Sequence, residues 1–117
     1  PQDESLVTYA PKIDREVARI RWTNDAQHVA RTIRAFDPRP GAWSTLRGVD
    51  TKLSGVSVVR HGEAAPGLVL AVDEQGMLGG CGSDAVRIGY AQLAGKRRMA
   101  ALDLAQGRQI VVGESFT

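Results

Sequence analysis

The stretch that decides the fold runs from Ala42 to Leu93 and contains five short apolar segments: AWSTL (42–46), TKLSGVSVV (51–59), GLVLAV (67–72), GMLGGCG (76–82) and AVRIGYAQL (85–93). They are separated by turn-forming sequences, which predicts five strands. Strands that are this short and this closely spaced are typical of a small antiparallel barrel or sandwich. Gly55, Gly79 and Gly89 mark positions where a strand can bend at little cost.

Before the strands, the pattern predicts a helix from Thr23 to Phe36. Its apolar residues recur at helical spacing and form one stripe: Ala26, Val29, Ala30, Ile33 and Phe36. We expect Thr23 or Asn24 to cap this helix, and the prolines at positions 38 and 40 to end it. The stripe should pack on the barrel, with Ile33 and Phe36 in the interface.

After the strands, AGKRRM (94–99) is expected to be a basic loop, and AALDLAQG (100–107) a short helix that ends at Gly107. The tail RQIVVGESFT (108–117) fits either a last strand or a strap across the barrel. The predicted fold is therefore mainly β with flanking helices, a small antiparallel barrel of five to six strands that resembles an oligonucleotide-binding fold.

The first 16 residues are polar, contain prolines at positions 1 and 11, and show no sustained period, which is typical of a linker or arm. The chain carries 15 basic and 13 acidic residues, and two of the former and four of the latter lie in that segment. The rest of the chain therefore has a net charge of about +4. Such a charge favours a polyanionic partner without requiring one.

Residues that could carry metal or nucleophilic chemistry are few. His28, His61 and Cys81 are widely separated and match no recognised metal-ligand spacing. Nothing near Cys81 in the sequence would lower its pKa, so a small buried side chain is the favoured interpretation. Asp73 and Glu74 are adjacent within a turn, where a turn-forming role is favoured over catalysis. The sequence thus predicts no metal and no catalytic residue.

The densest basic run is Lys96, Arg97 and Arg98. Arg34 lies on the predicted helix away from its apolar stripe, and Arg39 follows that helix. Lysine and arginine engage phosphates and release counterions, and arginine does so bidentately. By charge alone, these residues fit either a nucleic-acid contact or an ordinary solvated surface. Aromatic residues are sparse, so stacking on single-stranded bases is not strongly indicated.

Two stretches resemble a known family, the methionyl-tRNA formyltransferases. One runs from DESLVTYAPKI through ARIRW to IRAFDPRPGAW and is similar to the segment that joins the family's two domains and opens the second. The other, QLAGKRRMAALDLAQG, is similar to the family's Q-x-x-G-K-x-x-M-x-A-x-D-x-x-x-G ending. Because GLVLAVDEQG lies between them, the resemblance covers nearly all of the chain in order. The matching positions of the ending are Gln92, Gly95, Lys96, Met99, Ala101, Asp103 and Gly107.

The resemblance implies a parent enzyme that transfers a formyl group from 10-formyltetrahydrofolate to the methionine of initiator methionyl-tRNA. In that family, an N-terminal Rossmann-like domain performs catalysis, and its catalytic residues are not in this sequence. Residues 1–16 are then an interdomain linker, and residues 17–117 the C-terminal tRNA-binding barrel. We expect this domain to be inactive alone and to hold no cofactor. Its implied partners are initiator methionyl-tRNA and the N-terminal catalytic domain of the same chain.

The resemblance also implies candidate contacts with tRNA. Lys12 lies where the family's linker presents a basic residue, and Lys96 and Arg108 occupy basic positions of the C-terminal ending. Four further residues are added from charge alone: Arg34, Arg39, Arg97 and Arg98. GGCGSD replaces a more usual GDG-like turn, and RGVDTK is this chain's own hairpin, so the details of the barrel rim are expected to differ from the family.

Two other interpretations remain open at this stage. The core AFDPRPGA also fits related formyltransferases that act on sugar nucleotides or hydrolyse 10-formyltetrahydrofolate, although the AGKRRM ending argues against them. A non-enzymatic barrel that binds another protein is a different class, and weak salt dependence would distinguish it. A single cysteine, together with the lack of any run of roughly 18 apolar residues, predicts a cytoplasmic location without a membrane span.

Overall fold

The computed structural model describes residues 15–37 and 39–117. Lys12 therefore lies outside the described residues. Each of the five predicted strands is present, and a short sixth strand and the predicted short helix follow them. The elements in chain order are α1 (Ala26–Phe36), β1 (Trp43–Leu46), β2 (Val49–Val59), β3 (Val69–Asp73), β4 (Gly76–Gly80), β5 (Ala85–Leu93), β6 (Met99–Ala100) and α2 (Ala101–Gln106).

The strands form one antiparallel sheet in the order β1-β2-β5-β4-β3, and β6 pairs with the free side of β5 near its end. β2 and β5 are its longest strands, and they pair from Thr51 opposite Leu93 to Val59 opposite Ala85. The fold is thus mainly β with flanking helices, as the sequence predicts.

The C-terminal tail joins the two edge strands of this sheet. At β1, the Thr117 amide donates to the carbonyl of Thr45 at 2.9 Å. At β3, the Gly113 amide donates to the carbonyl of Val69 at 2.9 Å, and the Phe116 amide donates to Gly67 at 2.8 Å. Because one segment bonds to both edges, the tail bridges the open sheet and gives it a barrel-like form. Of the two interpretations of this tail, the strap is correct.

A buried chain of polar contacts holds the strap in place. The indole N–H of Trp22 donates to Ser44 Oγ at 2.9 Å, and the Ser44 hydroxyl donates to the carbonyl of Thr117 at 2.9 Å. The ring of Phe116 stacks on Trp22 with 5.5 Å between centroids, and both rings are buried. The polar groups are satisfied inside the core, so the strap contributes apolar burial without leaving an unpaired donor.

Two glycines, Gly55 on β2 and Gly89 on β5, lie next to each other across the pair of long strands. On β5, Ala91 is buried on one side of Gly89, and Ile88 and Val86 are buried on the other, so the buried face changes phase at the glycine. Gly55 on β2 has a φ of +73°, which favours glycine. The register between β2 and β5 is the same on both sides of these glycines. The register shift in the sheet lies between Val69 and Ala71 rather than at Gly79.

Helix α1 is shorter than predicted. Asp25, not Thr23 or Asn24, caps it, since its side chain accepts from the His28 amide at 2.8 Å. Ile33 is fully buried, but Phe36 is only half-buried and lies outside the core cluster, so the prediction that Phe36 packs in the interface is wrong. Ten residues turn an α-helix by about 2.8 turns, which leaves Phe36 to one side of the stripe that Ala26 begins.

Candidate nucleic-acid interface

The outer face of β1, β2 and β5 carries a row of polar and aromatic side chains. Lys52 in the middle strand is the cross-strand partner of Trp43 on one side and of Gln92 on the other. Its neighbours along β2, Thr51 and Leu53, are buried. Because side chains alternate between the faces of a strand, the row that contains Lys52 faces outward.

Three cavities share Lys52 as a lining residue, with volumes of about 230, 210 and 120 Å³. The strand ends, the end of α1 and the loop after β5 enclose them. We call this surface the Lys52 groove. The charged and polar side chains that define it are Arg15, Asp37, Trp43, Asp50, Lys52, Gln92 and Arg98.

The basic turn lies at one end of this groove. Gly95, which has a φ of +78°, lines the larger cavity and provides the left-handed conformation that the turn needs. Gln92 Nε2 donates to the carbonyl of Lys96 at 2.9 Å, and the Lys96 amide donates to Leu93 at 2.9 Å. These bonds fix the backbone of the turn and leave the side chains of residues 96–98 exposed.

The cations of the groove are largely without acidic partners. Throughout residues 15–37 and 39–117, no carboxylate forms an ion pair with Lys52, Lys96, Arg97 or Arg98. Arg15 is the exception, because it pairs with Asp50 at short range. Exposed cations without a carboxylate partner are available to phosphates.

Aromatic rings orient two of the arginines. The guanidinium of Arg98 lies over the ring of Tyr90 at 4.4 Å from its centroid, and Tyr90 is 43% exposed. The guanidinium of Arg15 lies 4.0 Å from the centroid of Trp43, whose indole N–H donates to the Arg15 carbonyl at 2.6 Å. Cation–π contacts restrict where a long side chain points, so each guanidinium is held against its ring.

The structure places the sequence-predicted contacts in different surroundings. Lys96, Arg97 and Arg98 are together on the turn, and Arg98 lines the groove. Arg39 precedes Pro40, which lines the smallest of the three cavities. These placements do not test contact with a nucleic acid, so the assignments stay predictions.

Arg34 and Arg108 lie apart from the turn. The guanidinium of Arg34 donates to the carbonyl of Val56 at 3.5 Å, beside α1. Arg108 follows α2, and its carbonyl accepts from Arg47 at 3.5 Å. Arg108 is not among the residues that line the Lys52 groove. The structure therefore does not bring all the predicted cations to one place.

Sequence reasoning missed Lys52, Arg15 and Tyr90 as site residues. A signal for Lys52 was present, because the alternation of Thr51, Lys52 and Leu53 within a strand places the lysine outward. For the other two residues no such signal exists, since their roles depend on contacts with Trp43 and Arg98 across the fold.

The described residues offer no alternative chemistry. Burial raises the pKa of Cys81 to about 11, so its thiol is protonated at neutral pH and is not a nucleophile. Asp73 accepts from the Gln75 amide at 2.8 Å, the turn role predicted for it. Over residues 15–37 and 39–117, no group of three or more potential metal ligands converges. In the same part of the chain, no helix is long and apolar enough to cross a membrane.

The chain is similar to proteins of a known family. Residues 12–109 match the model of the family described as formyl transferase, C-terminal domain. The chain is 44% identical over 117 residues to a methionyl-tRNA formyltransferase of Aromatoleum aromaticum, and 42% identical over 116 residues to one of Methylobacillus flagellatus. Each match covers 99% of this chain, but only 36% and 37% of the respective relative. The chain thus spans little more than a third of these relatives.

Among solved structures, the chain is similar to HypX from Aquifex aeolicus in complex with tetrahydrofolic acid. The TM-score is 0.73 at 24% sequence identity, and the match covers 86% of this chain and 18% of HypX. At that identity the similarity shows a shared fold and nothing about a shared ligand.

Proposed function

The chain belongs to the formyl transferase C-terminal domain family, and from that premise we propose that it is the tRNA-binding domain of a methionyl-tRNA formyltransferase. In this proposal the whole enzyme acts in the cytoplasm and formylates methionine on initiator tRNA, with 10-formyltetrahydrofolate as the donor. Catalysis and folate binding belong to a preceding domain. The present domain holds the tRNA and is inactive alone.

The Lys52 groove is the observation that carries the proposal. It combines three features of a surface for the nucleic-acid backbone: the exposed cations Lys52 and Arg98, with which no carboxylate of residues 15–37 and 39–117 pairs, rings that contact arginines, and a basic turn with a fixed backbone. Phosphate contacts position a protein on a nucleic acid and carry little sequence information. The domain should therefore bind tRNA with modest affinity and discriminate poorly between tRNAs.

Salt dependence tests the proposal directly. The triple variant Lys96→Ala, Arg97→Ala, Arg98→Ala and the single variant Lys52→Ala should bind tRNA more weakly than the parent. For every phosphate that a variant no longer neutralises, the slope of log affinity against log salt should become shallower by about 0.7 to 0.9. Titrations of labelled tRNA at several salt concentrations measure both quantities, and circular dichroism checks that the variants are folded.

A matched control removes the same charge elsewhere. Arg21, Arg31 and Arg60 are exposed and do not line the Lys52 groove. Their triple alanine variant should keep a slope close to that of the parent. If the control loses the slope and the 96–98 variant keeps it, binding occurs at α1 around Arg31 instead. A parent domain without salt-dependent tRNA binding would refute the proposal and favour the protein-interaction barrel.

A further inference from the structure

One cavity of the Lys52 groove holds opposite charges that do not pair. Asp37 lines the cavity of about 210 Å³ together with Lys52 and Arg98. No ion pair joins Asp37 to either cation, nor to any other side chain in the described part of the protein. The Asp37 amide donates to the Arg34 carbonyl at 3.4 Å, so the end of α1 sets its position. The cavity therefore presents a charged acceptor beside charged donors.

The neighbouring cavity has a similar composition. It is lined by Asp50 and Arg15, and it shares Lys52 and Gln92 with the first cavity. Lys52 thus lies between two pockets, each of which contains one carboxylate and one arginine. In the second pocket the carboxylate and the arginine pair with each other. In the Asp37 pocket, no ion pair within residues 15–37 and 39–117 engages Asp37, Lys52 or Arg98.

A phosphate alone does not fit this arrangement. Phosphate oxygens only accept hydrogen bonds, and a nearby carboxylate repels them. A ligand that suits the Asp37 pocket must offer a hydrogen-bond donor close to its phosphate. The backbone of DNA has no such donor, whereas the ribose 2′-hydroxyl of RNA both donates and accepts, and is the group by which a protein distinguishes RNA from DNA.

We infer that Asp37 accepts a hydrogen bond from a ribose 2′-hydroxyl while Lys52 and Arg98 hold the adjoining phosphate. This inference rests on the proposed function and adds recognition of the RNA sugar to it. The groove then selects RNA through the sugar and phosphate of the RNA backbone, without reading the base sequence. The competing possibility is that an exocyclic amino group of a base donates to Asp37 instead, and the experiment below separates the two.

The test compares a labelled RNA hairpin with the same sequence carrying 2′-fluoro substituents throughout. The fluoro analogue keeps the A-form helix and every phosphate, and it lacks the hydroxyl donor. The parent chain should bind the fluoro hairpin about 10- to 150-fold more weakly, the effect of losing one hydrogen bond to a charged group. In Asp37→Ala, the ratio of the two affinities should fall towards one.

Glu74→Ala is the matched control, since Glu74 is an exposed acid in the β3–β4 turn and does not line the Lys52 groove. It removes the same charge and should keep the parent's ratio. Equal binding of both hairpins by the parent, with a steep salt slope, overturns the inference and leaves the proposed function intact. A ratio that survives in Asp37→Ala also overturns it. If neither hairpin binds in a salt-dependent way, the proposed function itself fails.

Discussion

The Lys52 groove differs from the side of the sheet that the C-terminal tail bridges, which we call the closing side. Both contain arginines, but the arginines have different partners. On the closing side, the guanidinium of Arg47 donates to both carboxylate oxygens of Glu114, at 2.6 and 2.9 Å, and to the carbonyl of Gln109 at 3.1 Å. In the groove, the described carboxylates pair with neither Lys52 nor Arg98. Arginine donors that are already engaged inside the protein stabilise the fold, and unengaged ones are available to a ligand.

Because of this difference, we expect the two regions to respond to different conditions. In the proposed function the groove releases counterions from a nucleic acid, so salt should weaken its binding. The closing side acts through the ion pair of Arg47 with Glu114, through the stacked ring of Phe116 and through backbone bonds, so acid and core truncation should weaken its stability. A change in the groove that alters stability, or a change on the closing side that alters the salt dependence of binding, would contradict this assignment.

The largest expected effect is on the closing side. Phe116→Ala removes a buried ring that stacks on Trp22, and it should lower the free energy of unfolding by about 3 to 5 kcal/mol. Urea unfolding followed by circular dichroism measures the loss. Under conditions in which the variant is folded, the salt slope of tRNA binding should equal that of the parent, because the groove is unchanged. A changed slope would show that the two regions are coupled.

Phe36→Ala provides the comparison within the same measurement. Phe36 is half-buried and lies outside the core cluster, so its truncation should cost about 1 kcal/mol, roughly half the free energy of fully burying such a side chain. A loss as large as that of Phe116→Ala would mean that the end of α1 packs more tightly than the structure shows.

An intermediate effect is expected from Glu114→Gln. The hydrogen bond from Arg47 lowers the pKa of Glu114 below its ordinary value of 4.5. A carboxylate whose pKa is lower in the folded state stabilises the protein above the unfolded pKa, and this contribution is lost as the pH falls through the folded value. The variant should therefore have a melting temperature about 2 to 5 °C below that of the parent at pH 7, and the difference should shrink below about pH 4.

Thermal melts between pH 3 and pH 7 check this expectation. Asp84 accepts from the amides of His61 and Gly62, both at 3.0 Å, and these bonds lower its pKa as well. Glu114→Gln should hence remove only part of the parent's acid sensitivity. A gap between the two proteins that widens towards pH 3 would contradict the assignment of the ion pair.

Much of the fold follows from local pattern. The five strands were predictable because turn residues separate the apolar segments, and Gly55 was recognisable as a special position because only glycine reaches its φ of +73° at low cost. The cap at Asp25 was not, since it depends on where the helix starts against the sheet, whereas the position of Phe36 beside the stripe follows from the helical period. The strap was left undecided because its partners are distant in sequence, as in the bond between Thr117 and Thr45.

The candidate site was less predictable than the fold. Charge density identified the turn that contains Arg98, whereas the family resemblance also selected Arg108, which lies beside Arg47 rather than at the groove. Whether a cation has a carboxylate partner depends on tertiary contacts such as that between Arg47 and Glu114, 67 positions apart. The amino-acid composition does not show which of these cations has a carboxylate partner, whereas the folded structure does.

The smallest expected effect concerns the orientation of a groove cation. Tyr90 lies against Gly55, where an added Cβ would come within 3.0 Å of the Tyr90 ring, and Arg98 covers that ring. Tyr90→Leu keeps an apolar side chain and removes the ring, so Arg98 should lose its preferred direction. An exposed cation–π contact contributes about 0.5 to 1 kcal/mol, so we expect tRNA affinity to fall about 2- to 5-fold.

The salt slope and the control variant Tyr90→Phe identify the cause of a loss of tRNA affinity in Tyr90→Leu. In Tyr90→Leu the slope should stay near that of the parent, because Arg98 keeps its charge and still reaches a phosphate at a higher cost in side-chain entropy. Tyr90→Phe keeps the ring and should bind like the parent. If Tyr90→Phe loses as much as Tyr90→Leu, the tyrosine hydroxyl contacts the RNA itself and Arg98 is not the residue through which Tyr90 acts. If neither variant changes affinity, the direction of Arg98 is irrelevant to binding, and the groove works by charge alone.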